Sequence, residues 1–197
     1  GAQFQSGITA EASQDAIFLT FNQTDAVDAL EHIRSVVASV PSLQQQFNQS
    51  YPDAGLHLVI AVGSGFWSAL MGDKTPAQLR PFPALEEGER VAPATPVDLL
   101  FHIRSDRHDL NFQLAWQLRA QLDGAAELVE EVHGFRYLDS RDMTGFVDGT
   151  ENPKGRKRRD VALLNEGNKF DSGSYVHVQR YRHHLNKWDA MPTEEQE

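Results

Sequence analysis

The chain reads as an α+β protein whose first part is a ferredoxin-like βαββαβ antiparallel sheet with helices on one face, followed by the beginning of a second similar domain. Three observations predict this. Apolar residues alternate with period two in 55–63 and 97–104, the signature of half-buried strands. They recur with helical spacing at Ala26, Leu30, Ile33, Val37 and Val40, and again at Leu114, Ala115, Leu118 and Leu122. Finally, the elements so marked fall in the order strand, helix, strand, strand, helix, strand once one short helix is set aside.

Segment 15–21 (DAIFLTF) is short, apolar and β-prone. The helix after it is expected to start near Asp25 as N-cap, with Asp28 favourably placed in its first turn. Pro41 lies inside the helical pattern and predicts a break or a new start there. Residues 55–63 (GLHLVIAVG) put Leu56, Leu58, Ile60 and Val62 on one strand face, and Gly63 and Gly65 lead into a short helix carrying Phe66, Trp67, Leu70 and Met71. Between 75 and 96 stand five of the nine prolines, predicting a long irregular connection. Residues 97–104 then place Val97, Leu99, Phe101 and Ile103 on a buried face. Asp106 is the expected N-cap of the next helix, which Gly124 stops, and 127–138 reads as the last strand, bent at Gly134.

The pattern changes near residue 140, dividing the chain into 1–140, the ferredoxin-like unit, and 141–197, a loop and the first part of an incomplete second unit. In the latter, 174–182 (SYVHVQRYR) alternates as a strand, with Tyr175, His177, Gln179 and Tyr181 facing one way. Residues 183–191 suit a helix.

Composition bounds the chemistry. Of 197 residues none is cysteine, which excludes disulfides, thiolate catalysis and cysteine ligation of zinc or haem. A net charge of −10 opposes binding to nucleic acid or an anionic membrane. The basic run Lys154, Arg156, Lys157, Arg158 and Arg159 therefore reads as a solvated loop, or one close to an anionic group, rather than a nucleic-acid patch. No apolar run reaches the roughly 20 residues of a membrane span, and the start lacks a basic-then-apolar leader, so a cytoplasmic location is expected.

The most informative run is Gly145-Phe146-Val147-Asp148-Gly149-Thr150-Glu151-Asn152-Pro153. Its glycines permit a tight turn or close approach to a flat ligand, and Asp148 between them could exchange a proton in a cavity. A polar turn with an Asx cap accounts for the same pattern. None of the eight histidines has metal-ligand spacing, and no metal ligand is assigned.

The run resembles the GxxDG motif of the dye-decolorising-type haem peroxidases. Gln5-Ser6-Gly7-Ile8, Arg80-Pro81-Phe82-Pro83, Arg107-His108-Asp109, His133-Gly134-Phe135-Arg136 and residues 174–179 are similar to the bacterial, TyrA-like branch of that family. The resemblance implies haem b as cofactor, hydrogen peroxide and a small aromatic reductant (a phenol or dye) as reactants, and assembly into a homo-oligomer. It implies that Asp148 is the distal acid–base residue. Gly149, Thr150, Glu151 and Asn152 would skirt the porphyrin, with Gln179 a further candidate for the pocket wall. It also implies that the iron-ligating histidine and the distal arginine fall beyond residue 197. Two other readings stay open: a haem-handling protein with little turnover, and a non-catalytic oligomerisation module.

Overall fold

The computed structural model describes residues 3–72, 74–88 and 90–197. Among the described residues the strands are β1 (Asp15–Gln23), β2 (His57–Val62), β3 (Leu85–Glu87), β4 (Arg90–Ala92), β5 (Leu99–Ser105) and β6 (Ala126–Phe135). The helices are α1 (Ala29–Ser50), α2 (Ser64–Met71), α3 (His108–Leu122), α4 (Lys157–Ala162), α5 (Leu185–Asp189) and α6 (Thr193–Gln196). Strands β2, β5, β1 and β6 lie in that order in one sheet, and every neighbouring pair is antiparallel. This is the ferredoxin-like arrangement, reached because α1 and α3 each carry the chain across one sheet face.

The alternation in the sequence explains which face that is. Ile17, Leu19 and Phe21 of β1, Leu99, Phe101 and Ile103 of β5, and Leu58 of β2 are all buried. They meet Ile33, Val36, Val40 and Leu43 of α1 and Leu110, Leu114, Leu118 and Leu122 of α3 in one core. Each such side chain withdrawn from water contributes roughly 1.5–3 kcal/mol. Gly63 has a different reason: a Cβ there would lie 2.0 Å from the carbonyl oxygen of Val97, so only glycine lets the two connections pass.

Several local expectations are corrected. Helix α1 runs unbroken through Pro41. Pro41 is exposed while Val40 and Leu43 beside it are buried, so core packing on both sides outweighs the roughly 3 kcal/mol cost of an interior proline. Asp28 rather than Asp25 precedes α1, and Arg107 rather than Asp106 precedes α3. The Asp106 carboxylate is occupied elsewhere, accepting the Gln14 N–H at 3.0 Å. The proline-rich connection contains a small hairpin, β3 with β4. Residues 174–182 form no strand: the backbone is without a ladder partner in the described residues, so the alternating pattern has no sheet to join. A short helix, α5, does form within 183–191.

The sheet face away from the helices is partly covered by the segment preceding β1. Gly7 packs directly on Val59 and His57, and Arg104 of β5 donates to the carbonyls of Gly7 (2.5 Å) and Ala10 (3.1 Å). The outer margin of β2 is closed by side-chain amides. Gln5 Nε2 donates to Ile60 O (2.9 Å), Gln5 Oε1 accepts Ile60 N–H (2.7 Å), and Gln44 Oε1 accepts Leu58 N–H (2.8 Å). Among the described residues no helix is long and apolar enough to cross a membrane.

Candidate functional site

After β6 the chain turns twice and doubles back on itself. Arg141 bridges to Tyr137 on one side and to Val147 on the other. Asp142 anchors the turn between them: its carboxylate accepts the amide N–H of Thr144 at 2.7 Å and also the Thr144 hydroxyl. The Thr144 hydroxyl, then the two backbone amides, hold the Asp142 carboxyl below the usual carboxylate range. Asp142 N–H donates to Phe146 O (2.9 Å), Gly145 N–H to Asp142 O (3.1 Å), and the Arg141 guanidinium to Gly145 O (2.6 Å).

On this frame the chain presents Asp148. Its amide donates to Ser140 O at 2.8 Å, fixing the backbone, while the residue is exposed and its carboxylate enters no ion pair among the described residues. Gly149 follows at φ 72°, where a side chain would be strained and a Cβ would also lie 2.9 Å from Asn152 Nδ2. Asn152 N–H closes the turn on Gly149 O at 3.1 Å. Thr150, Glu151 and Asn152 are exposed, so 148–152 form one continuous outward-facing strip. Phe146, Val147, Val176 and Val178 are exposed apolar residues of the same part of the chain. Gln179 is engaged separately, its Oε1 accepting the Tyr181 hydroxyl at 2.5 Å, and this bond places the two residues on the same side of the extended segment.

The indole of Trp188 in α5 supports the loop from below. Its Nε1–H donates to Thr144 O at 2.9 Å and its ring meets Phe146 edge-on, with centroids 6.1 Å apart. Thr144, His183, His184, Lys187, Trp188 and Met191 line a recess of about 150 Å³. The remaining histidines are placed elsewhere. His32 contacts Gln121 O, His57 pairs with Ser6, and His102 stacks on Phe18. His108 meets His133, which also contacts Glu131, and His177 lies edge-on to Phe82.

Sequence reading did not find the roles of Arg141, Trp188 and Arg158, since each depends on a tertiary contact with no motif of its own. The basic run is also not uniformly solvated. Arg158 is half-buried, and its guanidinium donates to Pro153 O (3.0 Å), Thr9 O (3.5 Å) and the Glu11 carboxylate (2.8 Å).

Comparison with known proteins agrees over the whole chain. Residues 5–136 match the family description "Dyp-type peroxidase, N-terminal", and 139–197 match "Dyp-type peroxidase, C-terminal". A dye-decolorizing peroxidase of Rhodococcus erythropolis is 41% identical over 186 residues, covering 94% of this chain and 54% of that protein. The structure of a dye-decolorizing peroxidase from Bacteroides thetaiotaomicron superposes with a TM-score of 0.93 at 34% identity, covering 100% of this chain and 64% of that one. A variant of DypB from Rhodococcus jostii RHA1, solved in complex with heme, gives 0.91 at 38% identity, covering 98% and 63%. The chain thus spans about half the length of the curated relatives it matches. With both family regions matched in order and the fold shared throughout, the chain belongs to the Dyp-type peroxidase family.

Proposed function

We propose that the protein is a haem b-dependent peroxidase that uses hydrogen peroxide to oxidise phenolic or dye-like reductants, with Asp148 as its distal acid–base residue. The observation that carries this reading is the geometry of the Asp148 loop. A carboxylate with no ion-pair partner among the described residues is displayed on a backbone pinned at Ser140, next to a glycine without the bulk to obstruct a flat ligand. A proton-transfer group needs that combination of fixed backbone and uncommitted side chain.

The residues present fit one side of a porphyrin. Gly149 permits close approach, the exposed Phe146, Val147, Val176 and Val178 offer apolar surface, and Thr150, Glu151 and Asn152 supply polar contacts at a rim. Gln179 belongs to the candidate wall of the same pocket. When bound, haem supplies the redox-active iron at which peroxide is cleaved. Asp148 Oδ would take the proton from one peroxide oxygen and return it to the other, which leaves as water; two electrons from the reductant and two further protons would then convert the remaining oxygen to a second water.

In this reading the chain divides at residue 140 into a ferredoxin-like unit and a site-bearing unit, and the iron ligand comes from sequence after residue 197. The protein acts in the cytoplasm as a homo-oligomer. A hemin titration followed by peroxide-driven dye oxidation tests the proposal, using the 197-residue chain and a version extended to the length of its relatives. Stoichiometric binding with turnover in the extended protein supports it. Binding without turnover establishes a haem-handling protein instead, and a defined oligomer that binds no hemin establishes an oligomerisation module.

A further inference from the structure

The two arginines flanking the motif loop differ in reach. Arg141 holds Gly145 O from four residues away, a purely local bond. Arg158 holds Pro153 O at the other end of the loop, and its two terminal nitrogens extend to Glu11 and Thr9, 147 and 149 residues away in the sequence. The segment it reaches is itself tied to the sheet. Besides the Arg104 bonds to Gly7 O and Ala10 O, Arg136 donates to Ala12 O at 3.3 Å, and Gln5 and Ser6 are bonded to β2. Arg159 adds a cation–π contact, its guanidinium carbon 5.2 Å from the centroid of the Phe4 ring.

We infer that Arg158 is a positioning residue for Asp148: it clamps the end of the motif loop to residues 9–11 and thereby fixes the loop to the ferredoxin-like sheet. This deepens the proposed function and rests on it for the catalytic consequence, although the clamp itself is a statement about this chain alone. The geometry demands arginine. Three acceptors in three directions are met by Nε, Nη1 and Nη2 of one planar fork, which a lysine ammonium on a flexible stem cannot reproduce. Glu11 is mostly exposed at 84%, so its ion pair alone would be weak, whereas Arg158 at 23% is sheltered and bonded to carbonyls as well. The bond to Pro153 O therefore matters most, because it is the link between the loop and the clamp.

Hydrogen exchange of the 197-residue chain tests the clamp without cofactor. The amides of Gly145, Asp148 and Asn152, all hydrogen-bonded in the loop, are read against those of β5 and α3. Arg158→Gln is expected to speed exchange at the Asp148 and Asn152 amides about tenfold while the β5 and α3 amides are unchanged. Arg158→Lys is expected to behave like the glutamine variant. Unchanged exchange at both amides in both variants overturns the clamp. If Arg158→Gln unfolds the chain, Arg158→Lys decides, since it keeps the charge and loses the fork: faster exchange at these two amides supports the clamp, and unchanged exchange overturns it. In the extended, hemin-loaded protein, Arg158→Lys should lower kcat without moving KM for the reductant. Loosened amides in a protein whose turnover ignores Asp148 would leave the clamp standing and remove the peroxidase reading, so the two failures are distinguishable.

Discussion

His102 of β5 stacks on Phe18 of β1 with ring centroids 4.4 Å apart and planes inclined by 12°, on the sheet face opposite the helices. The pair is directly cross-strand in register, so the contact follows from the β1–β5 ladder itself. Burial, and secondarily the nearby Arg104 charge, push the His102 imidazole down to about 4. His57, on the neighbouring strand β2 directly opposite Arg104, is lowered for the same two reasons.

A pH dependence follows from these histidines. The unfolded imidazole takes up its proton near pH 6.5, whereas the folded one resists until about pH 4. The unfolded state therefore binds more protons between those values, and stability is full above pH 6.5 and declines as pH falls towards 4. His102 alone accounts for up to about 3 kcal/mol of that loss. The His102→Leu variant should show a shallower acid slope than the parent. Urea midpoints at pH 7.5 and pH 4.5 measure it, and equal slopes would refute the assignment.

Gly63→Ala should be among the most damaging small substitutions. The added methyl collides with the Val97 carbonyl, which is backbone and sits next to the Gly63 N–H to Asp98 O bond of 2.8 Å. A loss of about 3 kcal/mol is expected from such overpacking, read as a fall in the thermal midpoint. Gly149→Ala, by contrast, should leave that midpoint nearly unchanged and disturb only the exposed loop.

The buried amide of Asn111 joins three elements. Its Oδ1 accepts the Ser105 hydroxyl at 2.7 Å and its Nδ2 donates to Asp15 O at 3.2 Å, linking α3 to β5 and β1. Asn111→Ala leaves the Asp15 carbonyl short of a donor, and a loss of about 2 kcal/mol is expected in denaturant titration. Ser105→Ala together with Asn111→Ala should cost less than the sum of the two single changes, because they share one bond.

Asp148→Asn should preserve the loop, since the anchoring bond to Ser140 is made by the backbone amide. In the extended, hemin-loaded protein it should slow the reaction with peroxide by on the order of 10²–10⁴, the range for a lost acid–base group. Stopped-flow rates with peroxide measure this, and hemin affinity is expected to stay the same.

Much of the sheet was legible because its residues obey one period over a whole element. Leu99, Phe101 and Ile103 alternate in sequence and all are buried under the same helices. Pro41 was misleading because local propensity is outweighed by Val40 and Leu43 in the core. The alternation in 174–182 was equally genuine, but a strand also needs a neighbour and periodicity does not supply one. At the site, the Asp148 run stood out by its resemblance to a family motif. Arg158 did not, because its meaning lies in Thr9 and Glu11, which no local pattern connects to it.

The amides of Gln5 and Gln44 occupy the positions at which an additional strand would bond to β2. The opposite margin, β6, carries Glu127, Glu130 and Glu131, of which Glu130 pairs with Arg180 and Glu131 with Arg119 and His133, so that edge is lined by charged side chains. One border of the sheet is thus sealed by imitation of a neighbouring backbone and the other is fringed with charged side chains. A chain with this arrangement is built against runaway edge-to-edge stacking.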